Sequence, residues 1–364
     1  MSADAVRNLD EKVIDSFLGN GCFIGLGLQK CLVAWGNPKR LKKPNIEKPQ
    51  FYLPDFYLED KSPWVSFEHV AVTHTIALAD ALQSFSEQPK LDLIFQEPDF
   101  AQFENVFGKI KSSIQNSEIK KAVPVVFAKA NGSITKAMRA QYIQNLLRRQ
   151  NKQTPYGYLT PTSGLLGATP EILFSYDNKN LRLETMALAG TRRSDQEKVN
   201  SLSEDEKEMY EHQLVVQGLK EKLKELGDLE ISPTYVWDLG MISHLRTDIS
   251  IELSGQPISS ALFVEMCERL HPTAALGVAP QSADWRYLKS CEGTLDRARF
   301  GAPFGVLNPM GKSLALVAIR NIQFNENGIV SLGSGCGIVE SSELQSEWQE
   351  LALKRQTVRE MMGL

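Results

Sequence analysis

Short apolar runs with strand-like patterning lie scattered among stretches of helical periodicity along this 364-residue chain, and they keep no strand–helix–strand rhythm. Parallel sheets need that rhythm, because each crossover carries a helix. Dispersed strands instead favour an α+β fold with large antiparallel sheets. The strand-like runs are CFIGLGL, CLVAWG and WVSFEHVAV near the N-terminus, then KAVPVVFAK, YGYLTP, EILFSYD and LRLETMAL, and later TYVWDL. A C-terminal strand pair is read in SLALVAIRNIQF and NGIVSLGSGCGIV. Residues 30–65 hold many of the prolines and read as a long connection. Apolar spacing predicts helices in DFAQFENVFGKIKSSIQ, ITKAMRAQYIQNLLRRQ, SALFVEMCERL and SSELQSEWQELALKRQTVREMM. The strongest helix is 204–226, acidic at its start and lysine-rich towards its end, with Val215, Leu219 and Leu223 on one stripe. No composition break marks a boundary, so residues 1–364 read as a single domain.

Charge and cysteine usage narrow the function classes. Forty lysines and arginines stand against 44 acidic residues, a net charge of -4, so the basic excess of a nucleic-acid binder is absent. Five cysteines without paired CxxC spacing read as reduced packing residues, not as a disulfide framework or thiolate metal site. The N-terminus has no basic segment followed by an apolar run, and no apolar stretch approaches the roughly 20 residues of a membrane span. A cytoplasmic location, with neither nucleic acid nor membrane as partner, is the expectation. An anionic small molecule stays compatible with this charge, because a few placed cations are enough to bind it.

Several residues have the chemistry of a site. Glu208 and Glu211 are three apart on one helix, as are Glu347 and Glu350 on another. Each pair shares a helix face, and four carboxylates converging from two helices suit a hard cation such as magnesium. Two solvated glutamate faces have the same spacing. Lys354 lies seven residues beyond Glu347 on the same face, placed to meet a substrate carboxylate or to pair with Glu350. Glu171, beside Pro170 at the start of an apolar run, suits general-acid work if desolvation raises its pKa. Ala189 and Gly190 let a ligand approach the backbone or make a tight turn. Arg320, ending the apolar run LALVAI, needs an anionic partner, either a ligand or a buried acid. The glycines of GSGCGIV are placed to cradle a carboxylate with backbone amides or to kink a strand. His244 and His271 are two of five histidines, and each also reads as a satisfied core residue.

Taken in order, GATPEILF, LETMALAGTRR, DEKEMYEHQLVV, SHLRT, LHPTAALGVAP, EGTLDRARFGAPFGV, LVAIR, GSGCGIV and EWQELALK resemble the chorismate-binding enzymes. That family includes isochorismate, salicylate and anthranilate synthases and aminodeoxychorismate synthase component I. The resemblance covers roughly residues 155–360. It implies one α+β domain, an antiparallel β-sandwich flanked by helices. It also implies chorismate as substrate and Mg2+ as cofactor, held by Glu208, Glu211, Glu347 and Glu350. Glu171 resembles the general acid that protonates the departing C4 hydroxyl. Arg320 and Lys354 resemble substrate-carboxylate ligands, with help from amides around Gly335 and Gly337. Ala189, Gly190, Thr191 and His244 resemble residues that line the pocket.

Finer features point to isochorismate synthase within that family. Ala189 stands where the aminodeoxychorismate branch commonly has a lysine nucleophile, and SHLRT resembles the isochorismate wording. Phe300 stands where tyrosine is common. An ammonia-dependent synthase, with a separate glutamine amidotransferase subunit, is the alternative, and salicylate synthase shares most of these residues. One departure bears on the nucleophile. The lysine that activates water in isochorismate and salicylate synthases aligns with Pro124. On a continuous strand Lys121 would lie roughly 10 Å away with its side chain on the other face, and Lys120 about 13 Å away.

Overall fold

Every strand pair recorded in the computed structural model is antiparallel. The structure describes residues 9–86, 93–149, 152–194, 202–253, 257–280, 282–292 and 295–364. Residues 1–8 of the N-terminal segment and Gly293 and Thr294 of the EGTLD segment lie outside the described residues. An eight-stranded sheet and a ten-stranded sheet face each other, with a two-stranded ribbon beside them. Between the faces sits an apolar layer that includes Ile24, Leu32, Tyr156 and Leu165 from the first sheet and Phe51, Val65, Phe304 and Leu316 from the second. Helices cover both outer faces: Glu11–Gly19 and Lys136–Arg148 cover the eight-stranded sheet, and Glu206–Leu223 and Ser260–Leu270 the ten-stranded one. This is the α+β sandwich flanked by helices that the sequence implies. All five cysteines are free and buried. Among the described residues, no helix is long and apolar enough to cross a membrane.

Two runs that read as single strands are each divided between sheets. WVSFEHVAV splits into Trp64–Ser66 in the larger sheet and His69–His74 in the smaller. SLALVAIRNIQF splits into Lys312–Val317 in the larger sheet and Asn321–Phe324 in the smaller. The chain crosses between sheets a third time, from Gly164–Thr169 to Ile172–Asp177. Gly164–Thr169 pairs with Asn321–Phe324, and Ile172–Asp177 with Lys312–Val317, so the last two crossings run side by side. Their links are short. The Val317 amide donates to the Glu171 carbonyl at 3.1 Å, and the Ala168 amide to the Arg320 carbonyl at 3.3 Å. Arg320 turns with φ 57, and a side chain on Gly167 would put a carbon 2.6 Å from the Arg320 oxygen. Glu171 and Arg320 therefore occupy adjacent kinks where chain leaves one sheet for the other.

KAVPVVFAK is also broken. Lys121–Ala122 pairs with Val278–Ala279, while Val125–Asn131 pairs with Ile329–Gly335. Proline at 124 has no amide hydrogen, so ladder pairing lapses there. A buried ion pair takes up the neighbouring backbone. Arg297 donates to the Val123 carbonyl at 2.7 Å, and Glu292 accepts from the Val125 amide at 2.9 Å. Arg297 and Glu292 also bind each other bidentately, with side chains 0% and 1% exposed. The expectation of a continuous strand is therefore corrected. The kink redirects Lys121 into the interior.

Replacing Arg297 by Met leaves Glu292 buried without its partner and the Val123 carbonyl without its donor. Removing one member of a buried pair costs about 3–5 kcal/mol. Chemical denaturation of Arg297→Met is expected to show a loss in that range, and a loss below about 1 kcal/mol would remove the pair from this structural role.

Candidate active site

The kinks bearing Glu171 and Arg320 open onto a cleft of about 610 Å³ of atom-free space, part of it open to solvent. Ten of the thirteen residues singled out from the sequence line it. Glu171, Arg320 and Lys354 supply ionisable groups. Ala189, Gly190, Thr191 and His244 come from two paired strands, Gly335 and Gly337 from the glycine-rich segment, and Glu211 from a helix. The remaining three, Glu208, Glu347 and Glu350, stand behind this wall. Leu276, Ile319 and Ser334 also line the cleft and were not singled out, as does Phe300, noted in the sequence only for standing where tyrosine is common. Leu276, Phe300 and Ile319 are apolar walls, which carry no chemical signal in a sequence. Phe300 packs against Gly333, where an added side-chain carbon would lie 2.5 Å from the ring.

Glu171 is 3% exposed. Burial pushes its carboxyl up to about 7, against the opposing influence of the Thr273 hydroxyl, Lys121, Lys354 and Arg320. A carboxyl poised there gives up its proton near neutral pH, as a general acid requires. Thr273 donates to Glu171 Oε1 at 3.4 Å, and the Glu171 amide donates to Thr169 Oγ1 at 3.1 Å.

Opposite the acid, Arg320 is 6% exposed, and its guanidinium donates to Thr357 Oγ1 at 2.7 Å and to His244 Nε2 at 3.3 Å. His244 Nδ1–H donates to the Gly190 carbonyl at 3.0 Å, which leaves Nε2 as the acceptor. Burial, then the nearby Arg320 and Lys354, hold this imidazole well below its usual pKa. His244 is thus neutral and orients Arg320. The Gly190 carbonyl is available because Gly190, at φ 73, forms a bulge between Ala189 and Thr191. The burial of Arg320 lowers its pKa to about 10, with Glu350 and Glu171 opposing. Lys354 donates to the Gly335 carbonyl at 2.8 Å and pairs with Glu350 at 2.6 Å while its side chain faces the cleft. His271 is the core histidine the sequence allowed, bound to the Phe56 carbonyl at 2.8 Å.

Behind the cleft, the helices Glu206–Leu223 and Leu344–Met362 meet with their acids turned inward. Glu208 is 8%, Glu211 7% and Glu347 1% exposed, which excludes the solvated-face reading. Two lysines enter among them. Lys121, fully buried, places Nζ 2.9 Å from Glu211 Oε1. Lys207 places Nζ 2.9 Å from Glu208 Oε1, 2.9 Å from Glu347 Oε1 and 3.8 Å from Glu211 Oε2. Glu208 also accepts from the Thr191 amide at 2.8 Å. Burial and then Glu211 push Glu208 up to about 7, and burial and then Glu350 do the same to Glu347. Burial alone would raise Glu211, but Lys121 and Lys207 hold it below the usual range. Neither Glu347 oxygen receives a well-aligned hydrogen bond. That carboxylate, with the Lys207 ammonium beside one oxygen as its partner, has lone pairs left that fit a cation held by oxygen ligands. Among the described residues, no three acidic, histidine or cysteine side chains converge as they stand on one ion position. Lys207, whose place one residue before Glu208 carried no special signal, lies in their midst.

The profile of the family described as chorismate binding enzyme matches residues 56–363. The isochorismate synthase EntC of Escherichia coli K12 is 33% identical over 233 residues, which are 60% of this chain and 57% of that protein. The chain thus matches little more than half the length of that relative. The solved structure of MenF, the menaquinone-specific isochorismate synthase from Escherichia coli, superposes with TM-score 0.75 at 20% identity, covering 100% of this chain and 92% of that one. Anthranilate synthase component I from Streptococcus pneumoniae superposes with TM-score 0.63 at 17% identity, over 88% of this chain and 82% of that one. At these identities the superpositions speak for the fold.

Gly337 gives a direct probe of the packing around the acids. A side-chain carbon there would lie 2.1 Å from Glu211 Oε1 and 2.8 Å from Lys121 Cε. Overpacking of this kind costs about 1–3 kcal/mol. Gly337→Ala is expected to lower thermal stability accordingly and to disrupt the Lys121–Glu211 pair. A melting temperature equal to that of the unmodified protein would show that the site yields freely.

Proposed function

We propose that this chain, which belongs to the chorismate-binding enzyme family, converts chorismate to isochorismate. The observation that carries the reading is one cleft that sets the buried acid Glu171 against Arg320 and Lys354. Water adds at C2 of the ring and releases one proton to solvent, the two ring double bonds shift, and the C4 hydroxyl leaves as water with the proton from Glu171, so atoms and protons balance. Arg320, oriented by neutral His244, and Lys354 bind substrate carboxylate. Glu208, Glu211, Glu347 and Glu350 would hold Mg2+, which when bound would supply positive charge to offset that of the anionic substrate. Ala189 on the cleft wall presents no amine, which speaks against covalent attack from that position.

Glu171→Gln is expected to lower turnover by about 10²–10⁴-fold while substrate binding is largely kept. Loss of binding as well would reassign Glu171 to structure. Because burial raises the Glu171 pKa to about 7, the required proton is present below that pH and lost above it. In a pH–rate profile, kcat/KM should fall about tenfold per unit on the alkaline side, and this limb should be missing from Glu171→Gln.

A second reading, an ammonia-dependent synthase, draws on Pro124 and on Lys121, which stands behind Glu211 instead of on the cleft wall. Chromatography of products from chorismate and magnesium, with and without ammonium, separates the two. Isochorismate in ammonium-free buffer is the expected result. Turnover only with ammonium would favour the second reading.

A further inference from the structure

We propose that Lys207 is a built-in rival of the divalent ion. Its ammonium and the metal compete for the same carboxylates, and metal binding displaces the lysine outward. The inference rests on the reading of Glu208, Glu211, Glu347 and Glu350 as metal ligands.

Three observations carry it. First, the Lys207 ammonium lies within 2.9 Å of carboxylate oxygens from both acidic helices, Glu208 on one and Glu347 on the other, with Glu211 at 3.8 Å. A cation that bridges the two helices must stand in the same space. Secondly, the Glu347 carboxylate is 1% exposed and neither oxygen receives a well-aligned hydrogen bond. One ammonium at a single oxygen leaves its capacity unfilled, which a multiply coordinated ion would use. Thirdly, the lysine has somewhere to go. Its side chain is 22% exposed and forms the wall of an outer groove with Asp205, Glu206, Tyr210 and Glu340. A few bond rotations carry the ammonium from the inner acids to this acidic groove without moving the backbone.

Lys121 and Lys354 differ in this respect. Lys121 is fully buried and Lys354 is tied to both Glu350 and the Gly335 carbonyl, so neither has a comparable exit. The arrangement keeps the acidic helices together by an ion pair and lets the metal take over that task. It also weakens metal affinity, because the site must first release its own cation. If the ammonium holds the cluster nine-tenths of the time, the apparent Kd for metal is about tenfold above the intrinsic value.

The test uses protein stripped with a chelator and titrated with magnesium chloride by calorimetry, alongside Lys207→Met. The expected result is tighter binding by the variant, by about tenfold, and a lower melting temperature for the stripped variant than for the stripped parent. Equal or weaker magnesium binding by the variant would overturn the proposal and leave the metal reading intact. If neither protein binds magnesium, the metal reading falls and the proposal with it. A second measurement on the unmodified protein covers a variant that fails to fold. Limited acetylation with an amine-reactive ester, mapped by peptide mass spectrometry, should label Lys207 more heavily in the magnesium-loaded protein than in the stripped one. Unchanged or reduced labelling would overturn displacement, even beside tighter binding by the variant, since Lys207 would then be only a nearby repelling charge.

Discussion

Carboxylates buried beside one another are costly unless cations share the space, and the centre of this protein is organised around that constraint. Glu208, Glu211 and Glu347 lie less than a tenth exposed on two helices remote in sequence. Lys121 reaches them from a two-residue strand, Lys207 from the first turn of one acidic helix, and Lys354 pairs with Glu350 on the other. Removing any one cation would leave its carboxylate partners in low dielectric. The helices are therefore brought together by charge, while the apolar stripe of Val215, Leu219 and Leu223 seats the first of them on the ten-stranded sheet.

The sandwich supplies the other half of the site. Strands that change sheets must kink, and a kink frees backbone and side chain from the ladder. Glu171 and Arg320 sit at two such kinks locked by the Val317 and Ala168 amides. Because the strands on either side of each kink pair with those of the other, the acid and the arginine keep a fixed relation that neither loop could maintain alone. Small residues complete the geometry. Gly167 lets the Arg320 turn close against it, and Gly337 leaves the volume that Glu211 and Lys121 fill.

Much of this was legible in the sequence. The long helices fall close to where periodicity put them, and ten of the thirteen chosen residues line one cleft. Ordered motifs did what no single spacing could do, since GATPEILF or a glutamate pair alone has an ordinary surface reading. Strand division was not legible. A run such as SLALVAIRNIQF has continuous apolar character whether it stays in one sheet or crosses between two, and only the left-handed turn at Arg320 marks the break. The fate of Lys121 was hidden for a related reason. Register arguments assume an unbroken strand, and the interruption at Pro124 is sustained by Arg297 and Glu292, more than 160 residues away in the chain. Lys207 went unnoticed because a lysine in a first helical turn, where the helix dipole favours acids, has the look of a surface residue.

Charge counting connects the two halves. With Glu171 protonated, four acids (Glu208, Glu211, Glu347 and Glu350) stand against four cations (Lys121, Lys207, Lys354 and Arg320). The formal sum is zero, so the enclosure as built offers no net attraction to a dianion. Arg320 and Lys354 face the cleft and draw a carboxylate locally, but each already interacts with Glu350, and the attraction is correspondingly divided. A divalent ion that takes the place of the Lys207 ammonium among the acids changes the sum by one, offsetting half the charge of chorismate. Under the proposed reading, metal and substrate are thus coupled electrostatically, each lowering the cost of placing the other. Without the metal, a pKa near 7 for Glu208 and Glu347 lets protons relieve the repulsion among the carboxylates, and metal binding releases those protons. A site of this composition binds its anion by adjusting its own charge, not by maintaining a permanent positive field.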